Sequence, residues 1–162
     1  MKNLLCCALL VFLLSITASC GKTVIGNHGG TNTNQYAVSK KVSGDAICRT
    51  LRTQIGTPYK YGGNSPSTGF DCSGLVRWAY QQYGIKTPRT AQEQAGYGRS
   101  VPKSKLYPGD VVVFRVRGRY HTGVYVGNNN FIHSPRTGAN VQVESLNSGY
   151  WKKTFSGARR II

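Results

Sequence analysis

Three residues of this 162-residue chain have the types needed for nucleophilic attack on an amide. Cys72 follows a glycine-rich loop and is predicted to begin a helix, where the positive end of the helix dipole favours the thiolate and lowers the pKa of the thiol. A cysteine nucleophile needs a base within hydrogen-bonding reach, and that base needs a group that orients it. His121 and His133, in predicted strands further along the chain, are the candidates for those two roles.

Whether the two histidines can meet depends on the loop that joins their strands. A three-residue loop at positions 127–129 would pair Val126 with Asn130 and place both imidazoles on one face, as diagonal neighbours. A two-residue loop would place them on opposite faces unless a bulge restored the register. A catalytic histidine pair therefore predicts the longer loop or a bulge.

Two other interpretations of these residues remain open at this point. The histidines could be ordinary sheet residues and Cys72 a buried thiol. Alternatively, Cys72, His121 and His133 could bind zinc with Asp71 as a fourth ligand, but structural zinc sites usually contain closely spaced pairs such as Cys-x-x-Cys, which are absent here. We therefore expect no metal.

The first helix of the folded part is predicted from an apolar period of four. Ile47, Leu51 and Ile55 fall on one helical face, Gly56 is expected to end the helix, and Cys48 lies beside that face as a core residue.

Two more helices and a series of strands follow. Apolar residues from Leu75 to Tyr83 predict a helix that ends at Gly84, and Thr90 with Glu93 forms a capping box that begins a third helix. Strands are predicted over residues 111–116, 121–126, 131–134, 141–145 and 155–162. Helices followed by an antiparallel meander indicate an α+β fold, with N-terminal helices packed on a C-terminal antiparallel sheet.

The N-terminal residues have the pattern of a secretory signal. Lys2 precedes an apolar run over residues 4–16, and the ending Ala18-Ser19-Cys20 resembles a bacterial lipobox, in which Cys20 receives the lipid. We predict a lipoprotein signal peptide at 1–20, a flexible tether at 21–44 and a catalytic domain at 45–162. A plain signal peptide cleaved near Cys20 is the alternative.

Several ordered blocks of sequence resemble the NlpC/P60 family of cell-wall cysteine peptidases. The blocks cover residues 56–63 (GTPYKYGG), 69–76 (GFDCSGLV), 108–114 (PGDVVVF), 121–127 (HTGVYVG) and 131–134 (FIHS). With the tail at 150–153 (YWKK), the likeness runs from about Asp45 to the C-terminus and is strong toward the Spr-like murein endopeptidase lipoproteins.

The resemblance implies a papain-like core and roles for individual residues. Cys72 matches the nucleophile, His121 the base that keeps it ionised, and His133 the polar residue that orients the base. It implies an acyl-thioester mechanism on peptidoglycan, at either the D-glutamyl–diaminopimelate bond or the cross-link between stems, with no metal or organic cofactor. An acyltransferase or amidase on the same core, or a non-catalytic wall-binding module, are the alternatives.

The resemblance also implies residues around the nucleophile. Tyr59 matches a tyrosine that helps to shape the oxyanion site, and Asp71 and Ser73 match residues that contact the substrate near its amine. The segment between Tyr59 and Cys72 is one residue longer than in the Spr-like members. Tyr61 is therefore an alternative to Tyr59, and its other interpretation is a packed loop aromatic.

The charge of the chain is strongly positive, at +16, with 21 Lys and Arg against 5 Asp and Glu. A secretory signal argues against nucleic acid as the partner. Arg115, Arg117 and Arg119 form the one tight basic cluster, which is either a solvated face or a surface attracted to anionic wall polymer or lipid. The predictions together describe a monomer in the bacterial envelope, held to a membrane by the lipid on Cys20, with its catalytic domain facing the periplasm.

Overall fold

The computed structural model describes residues 42–162, and the predictions for residues 1–41, including the lipid attachment at Cys20, lie outside this range. Within it, no helix combines the length and the apolar character that a membrane span requires. The described chain contains four α-helices and eight strands. The helices are α1 (Gly44–Arg52), α2 (Cys72–Gln81), α3 (Ala91–Gly96) and α4 (Gly149–Thr154), and a 3-10 turn covers Lys103–Lys105.

Helix starts follow the local sequence, because each start has a capping side chain. The Ser43 hydroxyl accepts from the backbone N–H of Ala46, and the Asp71 carboxylate accepts from that of Gly74. Thr90 and Glu93 form the complete capping box that the sequence predicts.

The end of α1 differs from the prediction. The helix ends at Arg52, and Ile55 is 46% exposed instead of lying on the core face. The backbone N–H groups of Thr53, Gln54 and Ile55 bond three residues back, which is the tighter 3-10 pattern. Tightening rotates Ile55 away from the face that buries Ile47.

The principal sheet has six antiparallel strands in the order β3-β8-β4-β5-β6-β7. A separate two-stranded ribbon precedes α2. The strands are β1 (Asn64–Ser65), β2 (Gly69–Phe70), β3 (Arg99–Ser100), β4 (Val111–Val116), β5 (Arg119–Gly127), β6 (Asn130–His133), β7 (Gln142–Ser145) and β8 (Phe155–Arg160). The predicted α+β fold, with helices packed on an antiparallel sheet, is confirmed.

The sheet has an apolar layer on each side. Val111, Val124 and Ile132 belong to one buried cluster with Leu51 of α1 and Leu75 of α2. A second cluster holds alternate positions of the same strands together with α4, and its members include Val112, Phe114, Phe131, Leu146 and Trp151. The sequence did not predict α4.

The β5–β6 hairpin combines a two-residue turn with a bulge. Asn128 and Asn129 both have positive φ, at 52° and 58°, as a type I′ turn requires. The register shifts between Tyr125 and Gly127, so that Val124 pairs with Ile132. The bulge that a histidine pair requires is therefore present, and His133 lies opposite Gly123 by continuation of this register.

Candidate active site

Cys72 is the first residue of α2, where the helix start meets β5. The carboxylate of Asp71 caps the helix through the N–H of Gly74, at 2.6 Å. The backbone N–H groups of Thr122 and Ser73 interact with the Cys72 sulfur and act to lower its pKa. The helix start therefore aims its first residue at the strand that carries His121.

The predicted lowering of the Cys72 pKa is not what the structure gives. Burial raises the pKa of this thiol above its ordinary value, with a smaller contribution from the nearby Asp71 carboxylate. The amide contacts from Thr122 and Ser73 offset only part of that increase. Burial was not visible from the sequence, which showed only the helix start.

His121 and His133 form a directly bonded pair. Nε2 of His121 lies 2.8 Å from Nδ1 of His133, and the two side chains are 8% and 0% exposed. Burial lowers the pKa of His121 to about 4, whereas burial and the neighbouring His121 lower the pKa of His133 to about 2. Both imidazoles are therefore neutral at physiological pH.

Gly123 makes this pairing possible. A Cβ atom built on Gly123 would lie 3.0 Å from the Cβ of His133 and 2.8 Å from the carbonyl oxygen of Ile132. The contact with the Ile132 oxygen is shorter than Cβ atoms show in proteins, and the contact with His133 is tight enough that the neighbouring strand would have to shift. Gly123 was not predicted from the sequence as a site residue, although its place in β5, opposite His133 in the expected register, was a usable signal.

Trp151 of α4 packs against both histidines. Its ring is stacked on His121, with centroids 5.5 Å apart, and meets His133 edge to face at 4.9 Å. The ring centroids of Phe131 and His133 are 4.8 Å apart. Nε2 of His133 is buried among these groups and has no hydrogen-bond partner within residues 42–162.

Asp71 and Ser73 line the cleft, but their polar atoms already have partners. Arg89 binds the Asp71 carboxylate with two bonds, of 2.7 and 3.0 Å, and also donates to the Ser73 hydroxyl. Ser73 and the backbone of Gly62 donate to Asp71 as well. With Gly74, five donors occupy a carboxylate that accepts about four bonds. Arg89 immediately precedes the capping box and was not predicted from the sequence as a site residue.

A buried glutamine supports the same region. Gln94 of α3 is 1% exposed and donates to the carbonyls of Ser73 and Pro88, at 3.0 and 2.9 Å. Its amide oxygen accepts from the hydroxyl of Thr122, at 2.9 Å. Gln94 therefore ties α3 to the two segments that flank the Cys72 sulfur, a role that no sequence motif indicated.

Tyr59 and Tyr61 both line the cleft. Tyr59 is half-buried, and its backbone N–H bonds the carbonyl of Ala139 at 2.9 Å. Burial, with the proximity of Cys72 and Asp71, raises the pKa of the Tyr59 hydroxyl, so it remains a donor. Tyr61 is 86% exposed, so its interpretation as a packed loop aromatic is wrong.

The cleft has a volume of about 1130 Å³ and three walls. One wall is the loop that carries Tyr59 and Tyr61, and a second is the start of α2 with Arg89 and the start of α3. The β4–β5 hairpin forms the third wall, and its arginines face this cleft. The cleft-lining residues that could carry the chemistry are Cys72 and His121.

The zinc alternative has no ligand set in the described range. Within residues 42–162, no three histidine, cysteine or acidic side chains are grouped closely enough to hold a metal ion. Nδ1 of His133 is already engaged by His121.

Known proteins share this sequence and this fold. The NlpC/P60 family pattern matches residues 56–160. The murein DD-endopeptidase MepH of Escherichia coli (strain K12) is 45% identical over 139 residues, which cover 82% of this chain and 51% of MepH. The protein named murein DD-endopeptidase MepS/murein LD-carboxypeptidase from the same strain is 44% identical over 110 residues, 66% of this chain and 57% of that protein.

The solved structures agree with the sequence matches. An NlpC/P60 family protein from Bacillus cereus ATCC 10987 has a TM-score of 0.69 at 35% identity, and the match covers 74% of this chain and 40% of that one. The NlpC/p60 domain of the peptidoglycan hydrolase SagA has a TM-score of 0.66 at 33% identity, over 74% of this chain and 100% of that domain. The chain spans about half the length of the curated relatives it matches first. Because the family pattern matches residues 56–160 and the relatives share up to 45% identity with it, the chain belongs to the NlpC/P60 family.

Proposed function

We propose that the protein is a cysteine endopeptidase that hydrolyses peptide bonds of bacterial peptidoglycan, with Cys72 as nucleophile, His121 as base and His133 as the residue that orients the base. The observation that carries this proposal is that Cys72, at the start of α2, and His121 line one open cleft, while His121 is bonded from behind to the buried His133. It is supported by relatives whose names are murein endopeptidases.

In the first step, the thiol proton passes from the Cys72 sulfur to His121 as the sulfur attacks the peptide carbonyl. Burial raises the pKa of Cys72 and lowers that of His121, so neither group readily ionises alone, and the two charges form together as a pair. This coupling replaces the simpler expectation that the helix start alone activates the thiol.

The negative charge on the carbonyl oxygen needs hydrogen-bond donors. Asp71 uses the N–H groups of Gly74, through its carboxylate, and of Leu75, through its carbonyl. The N–H of Cys72 and the hydroxyl of Tyr59 at the cleft are the donors that we assign to the oxyanion.

Release of the amine and hydrolysis of the thioester use the same two groups, Cys72 and His121. The protonated His121 gives its proton to the leaving amine, and the acyl group stays on sulfur as a thioester. Water, deprotonated by His121, then attacks the thioester, which releases a carboxylic acid and the Cys72 thiol. These steps use no metal and no organic cofactor.

We assign Asp71 and Ser73 to the substrate-facing wall beside Cys72. Because the Asp71 carboxylate is already saturated by donors, a substrate amine that binds it must displace one of them. Of the two side-chain donors, Arg89 is the more exposed, at 29% against 4% for Ser73. Substrate binding and the Asp71–Arg89 pair are therefore expected to be coupled.

The deciding experiment is digestion of purified peptidoglycan by the protein and by its Cys72→Ala variant, with products identified by mass spectrometry. New stem fragments from the wild type alone support a peptidase, and their masses identify the bond. Products that carry an added amine in place of water would instead indicate an acyltransferase. Wall binding without products from either protein would indicate a non-catalytic module.

The tether predicted over residues 21–44 must be shortened, because the Ser43 side chain caps α1, which begins at Gly44. We also propose that a lipid on Cys20 holds the protein to a membrane of the bacterial envelope as a monomer, with the domain facing the periplasm and the residues before Ser43 as a tether. This follows from the sequence pattern of residues 1–20. Labelling cells with a radioactive fatty acid should mark the wild type and not a Cys20→Ala variant. Equal labelling of both proteins would contradict it.

A further inference from the structure

The hairpin between β4 and β5 forms a wall of the catalytic cleft. Val116 pairs with Arg119, and the two residues between them make the turn. Arg117 and Gly118 both have positive φ, at 49° and 79°, which is the geometry of a tight type I′ turn. The arginines of this hairpin therefore sit on a short, regular element instead of a long loop.

The charge on this wall is not balanced by acidic side chains. Arg115, Arg117 and Arg119 are exposed and line the cleft. Within residues 42–162 the ion pairs are Arg89 with Asp71 and Arg160 with Asp110, and none involves the hairpin. Asp71 is also the one acidic residue among the cleft-lining residues, and Arg89 neutralises it.

The three arginines are not equivalent. The guanidinium of Arg115 lies 4.2 Å from the centroid of the Tyr120 ring, on the neighbouring strand, so it has an aromatic partner. Arg117 and Arg119 have neither an acidic nor an aromatic partner among the described residues. They are the two cleft cations available to a ligand.

Arg119 is also close to the reacting groups. It precedes His121 by two residues in β5, so both side chains leave the same face, with Cα atoms about 7 Å apart. A group bound by Arg119 would therefore lie in the same cleft, about two residues of extended chain from the bond that Cys72 attacks.

We propose that Arg117 and Arg119 form a subsite that binds a free carboxylate of the peptide substrate, next to the bond that is cut. This proposal rests on the proposed peptidase function. The planar guanidinium forms paired hydrogen bonds with carboxylates. Peptidoglycan stems offer such groups, because the γ-linked glutamyl residue and the diaminopimelyl residue each keep a free carboxylate near a peptide bond. The subsite therefore selects for stems whose carboxylates are not amidated.

The test uses three soluble stem peptides, Ala-γ-D-Glu-diaminopimelyl-D-Ala and two versions in which one of these two carboxylates is a primary amide. Binding is measured by calorimetry with the full-length protein in detergent solution, carrying Cys72→Ala so that no peptide is consumed. The Arg117→Gln/Arg119→Gln variant is compared with Arg77→Gln/Arg136→Gln, which removes the same charge from exposed positions outside the cleft.

Against the fully anionic peptide, we expect the hairpin variant to bind about five- to tenfold more weakly, as suits partly exposed charged hydrogen bonds. Amidation at one of the two carboxylates should weaken wild-type binding by a similar factor and leave the hairpin variant nearly unaffected. The control variant should keep the wild-type preference.

Two results would overturn the subsite. One is a wild type that binds all three peptides equally or binds none of them. The other is a hairpin variant whose affinity is lower than that of the wild type by the same factor for all three peptides. General attraction between charges, without a carboxylate subsite, would produce that result. Cleavage is assayed separately with Cys72 intact, so a protein that shows the preference but cuts no peptide would refute the peptidase and keep the subsite.

Discussion

Nε2 of His121 and Nδ1 of His133 lie 2.8 Å apart, which fixes how the protons are arranged on two neutral rings. A neutral imidazole carries one N–H, so one ring donates in this bond and the other accepts. Nε2 of His133 is buried without a polar partner, and its ring packs against Trp151 and Phe131, whose faces attract an N–H group and not a bare lone pair. We therefore assign the proton of His133 to Nε2, so that His121 donates from Nε2 and keeps the lone pair of Nδ1 for the proton of Cys72.

This assignment makes His133 an acceptor, so its replacement by another acceptor should preserve much of the activity. Asn has an amide oxygen at nearly the position of Nδ1, whereas Leu fills similar space without an acceptor. We expect His133→Asn to lower kcat by less than about tenfold and His133→Leu by about a hundredfold or more, on a soluble stem peptide. Equal losses in the two variants would show that His133 acts through packing alone.

The coupled ionisation of Cys72 and His121 can be tested by alkylation. In a His121→Asn variant the thiol must ionise alone, and burial keeps its pKa above the ordinary value. The rate of iodoacetamide labelling of Cys72 at pH 7 should fall at least about tenfold, and the midpoint of its pH profile should move upward. Cys48, which is 1% exposed, serves as an internal reference for unfolding in the same digest. A midpoint equal to that of the wild type would refute the coupling.

The buried histidines should also make the fold sensitive to acid. Their pKa values are lowered in the folded state, to about 4 and about 2, whereas both rings bind protons near pH 6.5 when unfolded. The unfolded state therefore binds more protons below pH 6.5, and the free energy of unfolding decreases as the pH falls from there toward 4.

The His133→Asn variant isolates one of these groups. Between pH 6 and pH 4 the wild type should lose about 1.4 kcal/mol more of its free energy of unfolding per pH unit than the variant does. Urea unfolding at pH 6, 5 and 4 measures this difference. Parallel pH dependences for the two proteins would mean that His133 does not resist protonation in the fold.

What the sequence revealed about the site was mostly local. Cys72 was placed at a helix start because the glycine-rich loop and the apolar stripe of the helix are its neighbours in the chain, whereas the cap formed by Asp71 was not predicted. The prediction that a histidine pair on one face needs a longer loop or a bulge was also correct, because strand alternation and a single turn determine which way the two side chains point. The roles assigned to these residues by family resemblance remain predictions.

What the sequence did not reveal depends on contacts between distant segments. Trp151 lies in a helix of six residues, too short for a periodic pattern, and its contact with both histidines exists only after β4 to β6 have assembled. The buried Gln94 and the pairing of Arg89 with Asp71 likewise join segments 18 or more positions apart. The burial of Cys72, which reverses the expected pKa shift, has the same origin.

Gly123 gives a direct test of the geometry that joins the two histidines. In Gly123→Ala the new methyl group would lie 2.8 Å from the carbonyl oxygen of Ile132 and 3.0 Å from Cβ of His133, so β6 must move away from β5. We expect a loss of about 1–3 kcal/mol in the free energy of unfolding. A displacement of His133 from His121 should also lower kcat by more than about tenfold under conditions where the variant is still folded. Gly96→Ala is the matched control, because nothing lies within 4 Å of its new methyl group. Full activity in a folded Gly123→Ala protein would show that the 2.8 Å contact between the histidines is not needed for the reaction.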